Sequence, residues 1–182
     1  MRKPLPALFF FTDPARTPDP EAAVQRLPRG AAVVYRAFGA PDSLARARRL
    51  RIITRRHGLI LLVGADWKLA AAACADGVHL PERLSGRVLR LKRARPGWLV
   101  TAAAHSLPAA RRARAADAVV ISPIFPSAST SAGRPIGPLR IAGLTRRLHA
   151  PVIGLGGVSH ENAPRLLDTG LAGLAAVDAL RG

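Results

Sequence analysis

The sequence predicts an α/β chain folded as a compact (β/α)₈ TIM barrel, one domain over residues 1–182. Three observations lead there. Short apolar runs with β-branched or aromatic content alternate with longer Ala/Leu/Arg stretches of helical spacing, the pattern of βα units around a parallel sheet. The runs 5–12, 31–37, 58–63, 77–80, 98–103, 118–122, 151–155 and 173–177 supply the eight strands that closure requires. The first run is followed by Thr12-Asp13-Pro14-Ala15 and not by a glycine-rich nucleotide turn. That argues against the open doubly wound sheet, which length alone would favour because barrels typically need about 250 residues.

The basic start Met1-Arg2-Lys3 and the apolar run after it imitate a secretory leader. The run is short, contains Pro6 and has no small-residue cleavage pattern, so it reads as the first buried strand. Residues 42–56 form a helix after Pro41, capped by Asp42 or Ser43, with Leu44, Leu50 and Ile53 inward and the arginines toward solvent. The Ala-rich stretch 70–75, which carries Cys74, reads as a buried helix face. Ser106 caps a helix after the fifth strand, and residues 123–138 form the one long irregular stretch. The seventh strand leads through paired glycines into a helix beginning near Ser159. The chain reaches Gly182 directly after the last strand, so the eighth helix is largely missing. That leaves apolar barrel surface for a helix or a neighbouring chain, a second copy included, to cover.

Composition narrows the partners. With 49% hydrophobic residues the chain can fill a core, which excludes wholesale disorder, and with 4% aromatic that core must be mostly Ala, Leu, Val and Ile. A net charge of +17 would ordinarily suggest nucleic acid or an anionic membrane. Lysine, however, occurs only at positions 3, 68 and 92, and the arginines are sprinkled through Ala/Leu-rich stretches. Nucleic acid is therefore not the expected partner. No apolar segment is long enough to span a bilayer. The single cysteine cannot form an intramolecular disulfide, so a reducing, cytoplasmic location is expected.

In such a barrel, chemistry belongs to the loops after the strands. The run Gly154-Leu155-Gly156-Gly157-Val158-Ser159 lets backbone N–H groups approach an anion, or merely permits a tight turn. The loop from Ser122 to Gly137 carries hydroxyls and Arg134, suited to a phosphate or diphosphate under a lid, or is a solvated connection. His105 is placed to move protons near neutral pH or to pack as an ordinary strand-end histidine. His79 reads as an oriented strand-end residue and not a metal ligand, because no other ligand sits at metal-binding spacing from it. Arg36, a charge within an apolar strand, is either an anion clamp or half of an internal ion pair.

In order, Phe11-Thr12-Asp13, Asp76-Gly77-Val78-His79-Leu80, His105-Ser106, Ala116-Asp117, Ser122-Pro123-Ile124-Phe125-Pro126, Gly156-Gly157-Val158 and Glu161-Asn162-Ala163 resemble the thiamine-phosphate synthase / TenI family. The resemblance runs nearly the whole length. It implies a (β/α)₈ fold, a role in thiamine biosynthesis and a small phosphorylated heterocycle as ligand. Synthase members join a thiazole phosphate to hydroxymethylpyrimidine diphosphate with Mg²⁺ on the diphosphate; TenI members tautomerise the thiazole phosphate without metal. The resemblance places phosphate binding at Gly156, Gly157 and position 178, and other substrate contacts at Arg36, His79, Ser127, Ser129 and Thr130.

The departures bear on the reaction. Of the family's Gln-x-Arg-x-Lys only Arg36 remains, between Val34 and Phe38. The metal-binding Asn-Asp pair appears as Gly64-Ala65, and a second aspartate falls at about Leu84, although Glu82 is near. The family's last-strand serine is Asp178, whose carboxylate repels a phosphate unless protonated or paired. His105 aligns with the histidine that serves TenI-type tautomerases as acid–base group. The expected activity is thus metal-free tautomerisation, or binding alone in a degenerate relative. The alternatives are a synthase with its Mg²⁺ relocated to Glu82 or Asp66, and a non-catalytic binding protein with an arginine-rich surface.

Overall fold

The computed structural model describes residues 4–127 and 133–177, and in it all the predicted strands form. They are β1 (Leu8–Phe11), β2 (Ala32–Tyr35), β3 (Ile60–Gly64), β4 (Gly77–Leu80), β5 (Leu99–Ala104), β6 (Ala118–Ile121), β7 (Val152–Leu155) and β8 (Gly173–Ala176). Each pairs in parallel with its sequence neighbours, and β8 closes on β1 with Leu8 opposite Leu174. The barrel is therefore closed and has no sheet edge. β1 starts later than the apolar run 5–12 suggests because Pro4 and Pro6 carry no N–H for a ladder.

The helices are α1 (Pro20–Gln25), α2 (Ser43–Arg56), α3 (Trp67–Ala72), α4 (Val88–Ala94), α5 (Leu107–Arg112) and α6 (Pro138–Thr145), with 3₁₀ turns at Glu82–Arg87 and Ala163–Leu166. In α2, Leu50 is buried as its spacing predicts, while Leu44 and Ile53 pack partly against the same cluster. Asp42 occupies the cap position without a capping bond and pairs instead with Arg46, one turn on, at 3.6 Å. Ser106 does cap α5, its hydroxyl accepting from the Ala109 N–H at 3.3 Å.

Two expectations need correction. Cys74, read as part of a buried helix face, is exposed: α3 ends at Ala72, and Cys74 takes a left-handed turn (φ 52°) beyond it. The helix expected near Ser159 is reduced to the 3₁₀ turn at Ala163–Leu166, because Asn162 folds the preceding loop on itself. Its side chain accepts from the Ser159 N–H and donates to the Gly157 carbonyl, satisfying groups that a helix would otherwise bond.

Alternation along the strands makes a core inside the barrel and another outside it. Phe9 and Phe11 fill the interior opposite small or branched residues, among them Ala32, Ala118, Ala175, Val34 and Val120. Phe10, Val33, Tyr35, Leu61 and Val63 face outward onto α1–α3. Gly77 is required by close approach: a Cβ there would lie 1.9 Å from the Leu99 carbonyl oxygen of the next strand. Among the described residues no helix is long and apolar enough to cross a membrane.

Candidate active site

Two groups of side chains stand at the C-terminal ends of the strands. The first joins β1, β2 and β4. Arg36, just past β2, donates from Nε to the Thr12 carbonyl at 2.6 Å and from Nη2 to Asp13 Oδ2 at 3.0 Å. Its own N–H is received by the Thr12 hydroxyl at 3.0 Å. Of the two roles open to Arg36, the internal ion pair is thus present, with both partners about a quarter exposed. The guanidinium also lies 5.9 Å from the Phe11 ring centroid and 5.2 Å from that of Phe38.

His79 stands perpendicular to the same Phe11 ring with centroids 5.0 Å apart, and its Nδ1 is 2.9 Å from the Thr101 hydroxyl. Burial, assisted by the nearby positive charge of Arg36, depresses its pKa from the ordinary 6.5 to about 3. The ring is neutral in the folded protein, whereas the unfolded chain binds a proton below about pH 6.5. The stability this contributes, on the order of a few kcal/mol, is complete above pH 6.5 and is lost as pH falls toward 3. Urea unfolding from neutral pH to about 4 is expected to show this loss. His79→Gln should flatten the profile over that range, and a variant profile as steep as the wild type would show that other groups govern acid stability.

The second group joins β4, β5 and β6. His105, just past β5, is exposed, and its Nδ1 lies 3.0 Å from the Ser122 carbonyl oxygen and 3.4 Å from the Ser122 hydroxyl. A carbonyl oxygen only accepts, so Nδ1 carries the hydrogen and the lone pair of the neutral ring resides on Nε2. The His105 backbone N–H donates to Glu82 Oε2 at 2.8 Å, and Arg112 lies 3.6 Å from the other Glu82 oxygen. Sequence reasoning noticed Glu82 only as a metal candidate. Its position two residues beyond β4, beside the residue that follows β5, is the signal that could have paired the two.

The glycine pair after β7 is held by the chain itself. A Cβ on Gly156 would lie 2.9 Å from Pro123, and one on Gly157 would lie 2.2 Å from the Pro126 carbonyl oxygen; both glycines have positive φ. The segment after β6 extends its pairing onto this turn, with Ile124 N–H donating to Leu155 and Phe125 N–H to Gly156. Farther on, Ile136 and Gly137 return to bond the carbonyls of Pro123 and Ile124, so the base of the long loop is closed. Ser127 is half-buried and Arg134 exposed; Ser129, Thr130 and Asp178 lie outside the described residues.

Set beside known proteins, residues 8–180 match the profile of the family described as thiamine monophosphate synthase. The chain belongs to that family. A thiamine-phosphate synthase of Pyrococcus furiosus is 30% identical over 181 residues, covering 96% of this chain and 86% of that one. A relative from Geobacter sulfurreducens, named provisionally for the same activity, is 36% identical over 137 residues. That match spans 74% of this chain but only 64% of the relative's length. The solved structure of thiamine phosphate pyrophosphorylase from Pyrococcus furiosus superposes with a TM-score of 0.81 at 27% identity, covering 94% of this chain and 85% of that one.

Mg²⁺, implied by the family's synthase members, needs several converging oxygen ligands. The carboxylates near the expected place are committed elsewhere in this family member. Asp66 Oδ1 receives the N–H groups of Lys68 and Leu69 at the start of α3, and Glu82 is held by His105 and Arg112. Among the described residues no three His, Cys, Asp or Glu side chains converge to hold a metal ion. The described donor set does not fit Mg²⁺.

Proposed function

We propose that the barrel mouth receives a phosphorylated thiazole and shifts a ring proton through His105. The observation that carries this reading is the Ser122 carbonyl, which fixes the imidazole tautomer and leaves Nε2 as the proton acceptor. Nε2 takes a proton from one position of the heterocycle and returns it at another, so the ring is restored and no co-reactant is consumed. Family membership supports the ligand class, a small phosphorylated heterocycle. The committed carboxylates support a step that needs no divalent ion.

The second reading is the coupling of thiazole phosphate to pyrimidine diphosphate. The names of the relatives favour it over tautomerisation, since those cited are named for synthase activity or its pyrophosphorylase equivalent. Its difficulty is the donor set described above. A direct experiment separates them: the protein is supplied with the thiazole phosphate tautomer alone, then with both substrates and Mg²⁺. Tautomer conversion in the first mixture supports proton transfer. Thiamine phosphate formed only in the second would replace that reading with coupling, and ligand binding without either product would leave a binding protein.

A further inference from the structure

Charge divides the two ends of the barrel unevenly. In a parallel barrel every connection from a helix to the next strand arrives at the N-terminal ends of the strands, so arginines scattered along the sequence converge there. Arg26 and Arg29 precede β2, and Arg55 and Arg56 precede β3. Across the barrel, Arg93 and Arg95 precede β5, Arg114 precedes β6, and Arg146 and Arg147 precede β7. All of these are exposed, and among the described residues none joins an ion pair.

The acids of that end are largely neutralised. Asp76 is buried against Arg51, Asp117 is bound by Lys92, and Asp168 is the exposed carboxylate among the described residues there. The opposite end holds most of the remaining acids, including Asp13, Asp42, Asp66 and Glu82. Helix dipoles account for cations in a last turn but not for Arg29, Arg114 and Arg147, which lie beyond the helix ends.

A second feature shares this face. Trp98 is half-buried, with the Arg95 guanidinium 5.5 Å from its ring centroid. It lines a cavity of ≈ 160 Å³ together with Lys92, Pro96, Gly97 and Asp117. We propose that this end of the barrel binds single-stranded nucleic acid, the arginines engaging phosphates and Trp98 offering a stacking surface to a base. Guanidinium groups suit phosphate oxygens by their planar fork, and an indole ring beside cations is the usual platform for an unpaired base. Of the exposed large apolar side chains, Phe38, Ile52, Leu89 and Leu139 lie outside the arginine-bearing connections, and Leu167, which shares this end beside Asp168, is a single leucine and no apolar face to insert into a bilayer. Dispersal in sequence concealed the patch; topology assembles it. The inference is independent of the reading of the barrel mouth.

Fluorescence anisotropy of a labelled single-stranded RNA of mixed sequence tests it. Affinity is expected to fall with salt at a log–log slope of about −0.7 per phosphate engaged. Arg95→Glu, Arg114→Glu and Arg147→Glu together should weaken binding at least about tenfold and flatten that slope by about 2. The separate pair Arg55→Glu and Arg56→Glu should flatten it by about 1. Trp98→Leu should cost about fivefold or more with the slope unchanged. Three results overturn the proposal: no saturable binding at low salt, binding indifferent to both sets of charge reversals, or binding to phosphatidylserine vesicles with none to RNA.

Discussion

His105→Ala is expected to slow conversion of the thiazole phosphate tautomer by about 10²–10⁴-fold, with the fold intact. His105 is exposed at the end of β5, so its removal opens no cavity, and its ring meets only the carbonyl and hydroxyl of Ser122 among the described residues. The loss should therefore fall on turnover and not on stability. Glu82 offers a companion measurement, because it holds the His105 backbone and not the ring. Glu82→Ala should lower turnover by a smaller factor, and Glu82→Gln, whose amide oxygen still accepts the N–H, should recover most of it. Conversion undiminished in His105→Ala would remove the imidazole from the mechanism. Thiamine phosphate production insensitive to the same substitution would favour the coupling reading.

Asp76→Ala should destabilise the protein by about 3–5 kcal/mol, a large part of the roughly 5–15 kcal/mol that holds a domain of ordinary stability. Asp76 Oδ2 receives both the Arg51 guanidinium at 2.5 Å and the Leu61 N–H at 2.9 Å, and its side chain is 4% exposed. Truncation leaves a mostly buried guanidinium and a strand N–H without an acceptor, and neither is within easy reach of water. Asp117 repeats the device two strands on: Oδ2 takes the Val100 N–H at 2.8 Å and Oδ1 takes Lys92 at 2.6 Å. As a control, Asp42→Ala removes only a half-exposed carboxylate paired at 3.6 Å and should stay within about 0.5 kcal/mol. Urea unfolding of the variants side by side decides the matter, and an Asp76→Ala midpoint close to that of the control would refute the pinning role.

The Asp76 and Asp117 pins change the meaning of two motifs. Asp76-Gly77-Val78-His79-Leu80 and Ala116-Asp117 carry the family resemblance, and nothing in their spelling separates structural acids from functional ones. In the fold, both aspartates sit at the start of a strand, at the end of the barrel away from His105, where they brace the preceding strand and a helix. Gly77 is similarly structural, excluded from bearing a Cβ by the Leu99 carbonyl. His79 keeps its strand-end position but lies in a pocket formed with Phe11 and Thr101, which no local pattern announces.

Helix and strand identity depended on local information, and the sequence determined them. Short apolar runs and helical spacing are patterns within a few residues, so the strands, their order and α2 were legible, as was the Ser106 cap. Errors fell where one local pattern met another local competitor, a side-chain bond or a backbone turn, that apolar spacing does not reveal. Asn162 bonding back to Gly157 displaced a helix, and a left-handed turn at position 74 exposed a cysteine within an alanine run. Only the tertiary structure could decide pairings across 17 to 25 residues: Arg36 with Asp13, His105 with Ser122 and Glu82, Arg51 with Asp76. It alone could gather arginines that the sequence spreads over the whole chain. The physical reason is common to both: an ion pair or a charged face depends on distance in space, and barrel closure sets that distance where sequence separation does not.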